Sequence, residues 1–183
     1  MILASRSPQR RAILEQLGVR FEVRPADVEE LDEGNPFLVA TENAERKAGA
    51  VSGDLVLGAD TVVALEGRIL GKPADEEQAR EFIDALASRT HVVVGGLAVR
   101  RDGEQRSAAV ATSVTFRNLG SAEVDRYVAS GEWRGRAGGY AIQGRGATLV
   151  RTIEGDYLNV VGLSVATLIE LVPDLRGPAQ PRS

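Results

Sequence analysis

The 183-residue chain contains no cysteine, only one histidine and few aromatic residues, which make up 4% of the sequence. Without cysteine it can form neither disulfides, nor thiolate nucleophiles, nor cysteine-ligated zinc sites. The single histidine, His91, excludes paired-histidine metal sites and argues against a Ser-His-Asp triad. Its neighbours Thr90 and 92–94 are typical of the start of a strand, so we predict a structural role for His91.

Long hydrophobic runs and a positive net charge are also lacking. No stretch approaches the roughly 18 apolar residues that a membrane span needs, and residues 1–6 have the pattern of a strand and a motif, not of a signal peptide. The net charge of -4 argues against a general nucleic-acid binder. We therefore expect a cytoplasmic enzyme with neither membrane nor nucleic acid as a partner.

Strand and helix patterns alternate along the chain, which is typical of an α/β domain. Strands are predicted at 2–4, 19–23, 55–57, 61–65, 68–70, 92–100, 108–116 and 149–153. Helices are predicted at 8–17, 36–51, 75–87 and 165–172, with one more that Ser121 would cap. Because composition does not change along the chain, we predict one domain over residues 1–175 and a flexible tail over 176–183.

The opening segment, Leu3-Ala4-Ser5-Arg6-Ser7-Pro8-Gln9-Arg10-Arg11, predicts an anion site. A short apolar strand ends in hydroxyl residues and then enters a helix, with Ser7 as its N-cap and Pro8 at its first position. Free backbone N–H groups, hydroxyls and guanidinium groups would converge there. This combination suits a phosphate.

Carboxylates near a phosphate site commonly hold a divalent cation, because the two negative partners otherwise repel each other. The candidates are Glu29, Glu30 and Asp60. Asp60 follows apolar or small residues and precedes a β-branched run, which indicates a carboxylate at a strand end facing a cleft. The same pattern is equally typical of a turn aspartate that accepts hydrogen bonds from its own backbone.

The chain has two lysines, and a glycine-rich segment lies further along it. The helical spacing of Lys47 is typical of a surface i,i+4 partner, whereas Lys72, in a rigid Gly-Lys-Pro loop, suits a phosphate. Glycines in the loop 136–146 would let its backbone approach a ligand, and Gln143 could donate to and accept from a base edge. No βαβ pattern surrounds this loop, so it is not a dinucleotide-binding fingerprint.

Taken in order, these segments resemble the Maf family of nucleoside triphosphate pyrophosphatases from Leu3 to about Leu171. The resemblance is carried by Ser-x-Ser-Pro-x-Arg at 5–10, the pair Glu29-Glu30, and segments 44–48, 58–63, 71–73, 89–91, 112–116, 137–144 and 160–163. It implies a single α/β domain around a long mixed β-sheet, Maf/inosine-triphosphatase-like, with two lobes, a central cleft and assembly as a homodimer. It also implies cleavage between the α- and β-phosphates, giving the monophosphate and pyrophosphate with the help of Mg²⁺ or Mn²⁺.

Carried over by position, the resemblance implies that Asp60 is the general base and that Glu30 and Asp60 hold the metal. Arg10, Lys47 and Lys72 would neutralise the triphosphate and the charge that develops on the leaving pyrophosphate. This assignment gives Lys47 a functional role that its helical spacing alone does not indicate. The resemblance implies substrate contacts from Ser5, Ser7, Gln9, Arg10, Thr61 and Gln143.

Three of these positions bear on the choice of nucleotide. Thr61 and Gln143 are similar to the branch that acts on dTTP and UTP, and not to the branch that acts on 7-methyl-GTP. Gln9 departs from that branch, which usually has arginine there, and the loss of a guanidinium fork would loosen base selection. We therefore expect hydrolysis of dTTP and UTP, extending to modified pyrimidine nucleotides.

The alternative is a non-catalytic nucleotide-binding regulator of septum formation and cell division, a process with which the family is associated. The intact set of Asp60, Glu30, Lys47 and Lys72 argues against this alternative, because a protein that only binds nucleotides needs neither a general base nor its metal partner.

Overall fold

A seven-stranded sheet organises the computed structural model, which describes residues 1–176. The strands are β1 (Ile2–Leu3), β2 (Glu22–Val23), β3 (Leu55–Leu65), β4 (Arg68–Leu70), β5 (Thr90–Arg101), β6 (Glu104–Phe116) and β7 (Val150–Glu154). The α-helices are α1 (Pro8–Gln16), α2 (Pro36–Gly49), α3 (Glu76–Leu86), α4 (Ser121–Ala129), α5 (Tyr157–Val161) and α6 (Val165–Leu171). Short 3₁₀ helices span Ala137–Gly139, Arg145–Leu149 and Pro173–Arg176.

The sheet is mixed. Its strand order is β2-β1-β3-β5-β6-β7, and β4 also pairs with β3. Strand β1 is parallel to β2 and β3, whereas the remaining pairs are antiparallel. The predicted α/β domain around a long mixed sheet is therefore confirmed. Residues 177–183 of the predicted tail lie outside the described residues, and no helix within 1–176 is long and apolar enough to cross a membrane.

Helix α2 lies directly on the backbone of β3 and β5, the two strands at the centre of the sheet. A Cβ atom added to Gly58 of β3 would collide with the carbonyl oxygen of Ala44, and one added to Gly96 of β5 would collide with that of Ala40. Both glycines are needed because the helix backbone fills the space that a side chain would take. This close packing brings the polar residues of α2 within reach of β3.

One edge of β3 is interrupted. Strand β5 takes one edge from Leu55 to Ala64, so β1 and β4 must share the other. Strand β1 pairs with Val56 and Leu57, and β4 pairs with β3 from Val63 to Leu65. Within the described chain, residues 58–62 therefore have no strand partner on this edge, and we call this interval the edge gap.

The structure corrects the sequence predictions for β3 in two ways. Asp60 lies in the middle of one continuous strand, opposite Gly96, so both the predicted strand end and the turn aspartate are wrong. The predicted separate strands 55–57 and 61–65 are likewise one strand. The ladder with β5 is the reason, because it continues without a break past Gly58 and Asp60.

Two local predictions further along the chain also need correction. The N-cap of α4 is Gly120 rather than Ser121, and the Glu123 carboxylate accepts the Gly120 N–H at 3.2 Å. The short helix α5 was not predicted at all. Asp156 is its N-cap and accepts from the backbone N–H of Leu158 at 2.8 Å.

His91 is a core residue, as its strand context predicted. It is 1% exposed, and its ring meets those of Phe116 and Tyr140 edge-on at centroid distances of 5.0 and 5.4 Å. Its Nε2 atom lies 2.8 Å from the Tyr140 hydroxyl, whereas Nδ1 has no hydrogen-bond partner. Burial lowers the pKa of His91 to about 4.

This burial predicts a pH-dependent stability. Between the ordinary pKa of 6.5 and the folded value of about 4, the unfolded chain binds a proton that the folded chain does not. The contribution of His91 is therefore complete above pH 6.5 and falls as the pH drops towards 4, by about 3 kcal/mol in the free energy of unfolding.

The measurement is urea unfolding of the wild type and His91→Gln from pH 7 to pH 4. The carboxylates titrate in both proteins, so the difference between them isolates the histidine. We expect the variant to lose less stability on acidification; parallel pH curves would contradict the prediction.

Candidate active site

A cleft of about 650 Å³ opens beside the edge gap. The residues that the family resemblance assigned to catalysis, substrate and metal all line it: Ser5, Ser7, Gln9, Arg10, Glu30, Lys47, Asp60, Thr61, Lys72 and Gln143. Glu29, the third carboxylate candidate, does not line it. The structure thus brings together segments that are far apart in the chain, while the role of each residue stays a prediction.

The phosphate motif has the predicted local structure. Ser7 is the N-cap of α1, and its Oγ atom accepts from the backbone N–H of Arg10 at 3.4 Å. Pro8 occupies the first helical position. The Oγ atom of Ser5 accepts from the backbone N–H of Ser7 at 3.2 Å. The N-terminal end of α1 therefore faces the cleft between two serine hydroxyls, where an anion would be stabilised.

Arg10 joins three parts of the site. Its Nε donates to the carbonyl oxygen of Gly162 at 2.9 Å, its Nη1 to Ser5 Oγ at 2.9 Å and its Nη2 to Thr61 Oγ1 at 3.0 Å. Burial lowers the pKa of Arg10, while the negative charges of Asp60 and Glu30 act in the opposite direction. Arg10 thereby fixes the hydroxyls of Ser5 and Thr61 at the cleft wall.

Lys47 lies between two carboxylates. Its Nζ atom is 2.6 Å from Glu30 Oε1 and 2.7 Å from Asp60 Oδ1, and the Lys47 side chain is 8% exposed. Lys72 Nζ donates to Glu30 Oε2 at 3.1 Å from the more open side. Burial alone would raise the pKa of Glu30, but the hydrogen bond and charge of Lys47, together with Lys72, lower it below its ordinary value.

Asn43 is a member of this cluster that the sequence analysis missed. Its Nδ2 donates to Asp60 Oδ2 at 3.1 Å and to the carbonyl oxygen of Leu31 at 2.9 Å. Its Oδ1 accepts the Leu31 N–H at 2.7 Å. One amide thus fixes Asp60 and the backbone next to Glu30. A signal existed, because Asn43 lies four residues before Lys47 and so on the same face of α2.

Asp60 and Thr61 divide the site between two faces of the sheet, because consecutive strand residues point to opposite sides. Asp60 faces α2, where it contacts Asn43 and Lys47, and Thr61 faces Arg10 of α1. On the Thr61 side the cleft wall is apolar. It is formed by Val63, Val93, Tyr140, Ile142, Val160 and Val161.

Two polar residues proposed for base selection, Gln9 and Gln143, line the same cleft as this apolar wall. Gln143 is exposed in the cleft. The side-chain oxygen of Gln9 accepts a hydrogen bond from Ser7 Oγ at 3.2 Å, so Gln9 lies back against the phosphate motif. A cleft that combines an apolar wall with an exposed amide suits a flat heterocyclic ring.

The donor set fits a cation that shares its coordination with a substrate. Within the described residues there is no cluster of three or more His, Cys, Asp and Glu side chains that could enclose a metal ion. Asp60 and Glu30 nevertheless meet at one nitrogen, that of Lys47. Mg²⁺ is commonly held by one or two carboxylates together with substrate phosphates, which is the arrangement that these residues permit.

The fold and the cleft together define an α/β domain that carries a phosphate motif beside a lysine-bridged pair of carboxylates. The sequence model of the family described as Maf-like protein matches residues 1–175, and the chain belongs to this family. Its relatives include three proteins named dTTP/UTP pyrophosphatase. One from Anaeromyxobacter sp. is 47% identical, the alignment covering 94% of this chain and 87% of the relative.

The other two come from distant organisms. The protein of Pelotomaculum thermopropionicum is 45% identical, with 94% of each chain covered. The protein of Pyrococcus furiosus is 42% identical, with 94% of this chain and 93% of the relative covered. The resemblance seen in the sequence motifs is therefore confirmed over nearly the whole chain.

The contacts of Lys47 and Lys72 predict that the two lysines contribute unequally to the free energy of unfolding. Lys47→Met would leave the buried Asp60 carboxylate without its cation, and we expect the free energy of unfolding to fall by about 3 kcal/mol at neutral pH. Lys72→Met is the matched control. Its side chain is 58% exposed, and we expect a loss below about 1 kcal/mol.

Urea unfolding of both variants measures the difference. Adding Asp60→Asn to Lys47→Met should recover part of the loss, because the second substitution removes the uncompensated charge. Equal, small losses in the two lysine variants would contradict the prediction.

Proposed function

We propose that this protein is a nucleoside triphosphate pyrophosphatase that hydrolyses dTTP and UTP, and modified pyrimidine nucleotides, to the monophosphate and pyrophosphate. The observation that carries the proposal is the contact of Lys47 with Asp60 and Glu30, in a cleft that also receives the N-terminal end of α1. The names of the three relatives support the same activity.

The triphosphate would bind between the phosphate motif and the lysines. Ser5, Ser7 and the backbone N–H of Gln9 in the first turn of α1 would donate to phosphate oxygens, as the helix N-terminus favours. Lys72, which is more exposed than Lys47, approaches from the opposite side of the cleft and balances the charge of the leaving pyrophosphate.

Asp60 is proposed as the general base. Its two oxygens already accept from Lys47 and Asn43, but an ionised carboxylate offers about four lone-pair positions, so it can also accept from a water molecule. As the water oxygen attacks phosphorus, its proton passes to Asp60 and the bond between the α- and β-phosphates breaks. The electron pair of that bond leaves on pyrophosphate. Asn43 keeps the carboxylate in one orientation throughout.

Asp60 and Glu30 would hold the divalent cation, Mg²⁺ or Mn²⁺, together with the substrate phosphates. When bound, such a cation polarises the phosphoryl group and offsets the negative charge of the reacting groups. Lys47, which contacts both carboxylates, would share the charge of the cluster with the cation.

The proposed preference for pyrimidines rests on the apolar wall and on the polar residues Gln143, Thr61 and Gln9. Gln143 is placed to donate to and accept from a base edge, and Thr61 holds a fixed orientation because its hydroxyl accepts from Arg10. Gln9 offers no guanidinium fork, and we propose that this broadens the range of bases accepted. Assembly as a homodimer and a cytoplasmic location stay predictions.

The proposal predicts metal-dependent release of pyrophosphate. A panel of dTTP, UTP, CTP, GTP and 7-methyl-GTP, assayed with Mg²⁺ or Mn²⁺ and again with a chelator, should give release from dTTP and UTP that stops when the metal is removed. Release that is unaffected by the chelator would overturn the metal requirement. A folded protein that binds dTTP and releases no pyrophosphate would favour the non-catalytic regulator.

The proposed role of Asp60 predicts that its substitution lowers turnover and leaves the protein folded. Asp60→Asn nearly keeps the shape of the side chain but removes the base, so we expect kcat for dTTP to fall by about 10²- to 10⁴-fold. Asp84→Asn, a substitution at an exposed position of α3 that does not line the cleft, is the control and should leave kcat unchanged. Circular dichroism checks the fold of both variants, and normal turnover in Asp60→Asn would remove Asp60 from this role.

A further inference from the structure

The glycine-rich loop is tied to a carboxylate that the proposed chemistry does not use. Glu132 follows α4 and lines the same cleft. Its Oε1 accepts the backbone N–H of Arg145 at 3.0 Å, and its Oε2 accepts that of Gly146 at 2.9 Å. One carboxylate thus fixes two consecutive peptide groups, directly after the segment that carries Gln143.

The loop is shaped to receive this carboxylate. A Cβ atom added to Gly144 would lie 2.7 Å from Glu132 Oε1, so the carboxylate would have to move away from its present position. Gly144 also has a φ angle of +89°, in the region that favours glycine. The backbone angle therefore favours glycine at the residue next to Gln143, and the present position of the Glu132 carboxylate depends on the absence of a side chain there.

The backbone around Glu132 is anchored to the protein core. Its backbone N–H donates to Ser130 Oγ at 3.3 Å. The next residue, Trp133, is 3% exposed, and its Nε1 donates to the carbonyl oxygen of Val128 at 3.0 Å. The carboxylate therefore extends from a fixed turn at the end of α4, and its hydrogen bonds transmit that position to the loop.

Gln143 depends on this support. Its side chain is exposed, and within the described residues no hydrogen bond to the protein orients it. What places it is the backbone on either side: the N–H of Ala141 donates to the Tyr127 hydroxyl at 3.2 Å, and Glu132 holds residues 145 and 146. Both supports come from α4 and the turn that follows it.

We propose that Glu132 is a positioning residue for nucleotide recognition, which orients the Gln143 amide toward the base through the Arg145 and Gly146 peptide groups. This inference rests on the proposed function, because it assigns the selectivity of that same cleft. It predicts that the loss of the carboxylate weakens base recognition while leaving the reacting groups around Asp60 in place.

Glu132→Gln tests the proposal. A glutamine keeps the shape but has one acceptor oxygen, so its NH₂ group must face one of the two backbone N–H groups. We expect the KM for dTTP and UTP to rise by about 10-fold, the factor for one lost hydrogen bond, with kcat within about twofold. The value of kcat/KM for dTTP divided by that for GTP should therefore fall.

Glu123→Gln is the matched control. Glu123 also accepts a backbone N–H, that of Gly120 at 3.2 Å, and it lies outside the cleft. Its substitution should lower the melting temperature without changing KM or the dTTP/GTP ratio. Hydrogen exchange of residues 141–146 should speed up in Glu132→Gln and stay unchanged in Glu123→Gln, whose effect through Arg117 reaches only Thr148 and Leu149.

The outcomes separate this inference from the proposed function. If the wild type releases pyrophosphate from dTTP and Glu132→Gln keeps its KM and base preference, the inference is wrong and the proposed function stands. If the wild type releases none, the proposed function fails, and binding of α,β-methylene-dTTP decides the inference: weaker binding by the variant supports it and equal binding overturns it. Should Glu132→Gln not fold, Glu132→Asp serves in its place, because the shorter side chain withdraws the carboxylate from the N–H groups of Arg145 and Gly146 without changing the loop sequence.

Discussion

The contact of Lys47 with Asp60 and Glu30 is the constraint around which the site is arranged. Two carboxylates at one end of a phosphate-binding cleft repel each other and any phosphate, so they can share the space only beside a cation. The cation is delivered by α2, and α2 reaches β3 only because Gly58 and Gly96 leave its backbone room. The close packing of α2 on the sheet is therefore a condition for the charge balance in the cleft.

The alternation of a single strand separates two tasks. Asp60 points toward α2 and its lysine, and Thr61 points toward α1 and the apolar wall. In the proposed function, Asp60 and its lysine act at the reacting phosphate, whereas the phosphate motif of α1 and the base-contacting Thr61 lie on the other side of β3. Arg10 connects them, because it reaches both the Ser5 hydroxyl and Thr61.

The sequence predicted what is decided locally. Ser7 and Pro8 begin α1 as expected, because a helix cap depends on residues within one turn. The prediction that Asp60 lies at a strand end or in a turn was wrong, because its position depends on the ladder with β5, some 35 residues further along the chain. The burial of Lys47 and the role of Asn43 could not be read from helical spacing, because spacing does not say which face of α2 meets the sheet. For Lys47 the family resemblance supplied what the spacing did not.

The edge gap also bears on whether the sheet can pair with a strand of another molecule. Unpaired backbone groups at a sheet edge invite a strand from another molecule, and long exposed edges are hazards for aggregation. Here the open interval covers only residues 58–62 and lies between β1 and β4, each of which covers the edge beside it. A small molecule fits into such a recess, whereas an incoming strand would collide with its two ends. The interval that opens the cleft beside Asp60 is thereby too short to pair with a strand of another molecule.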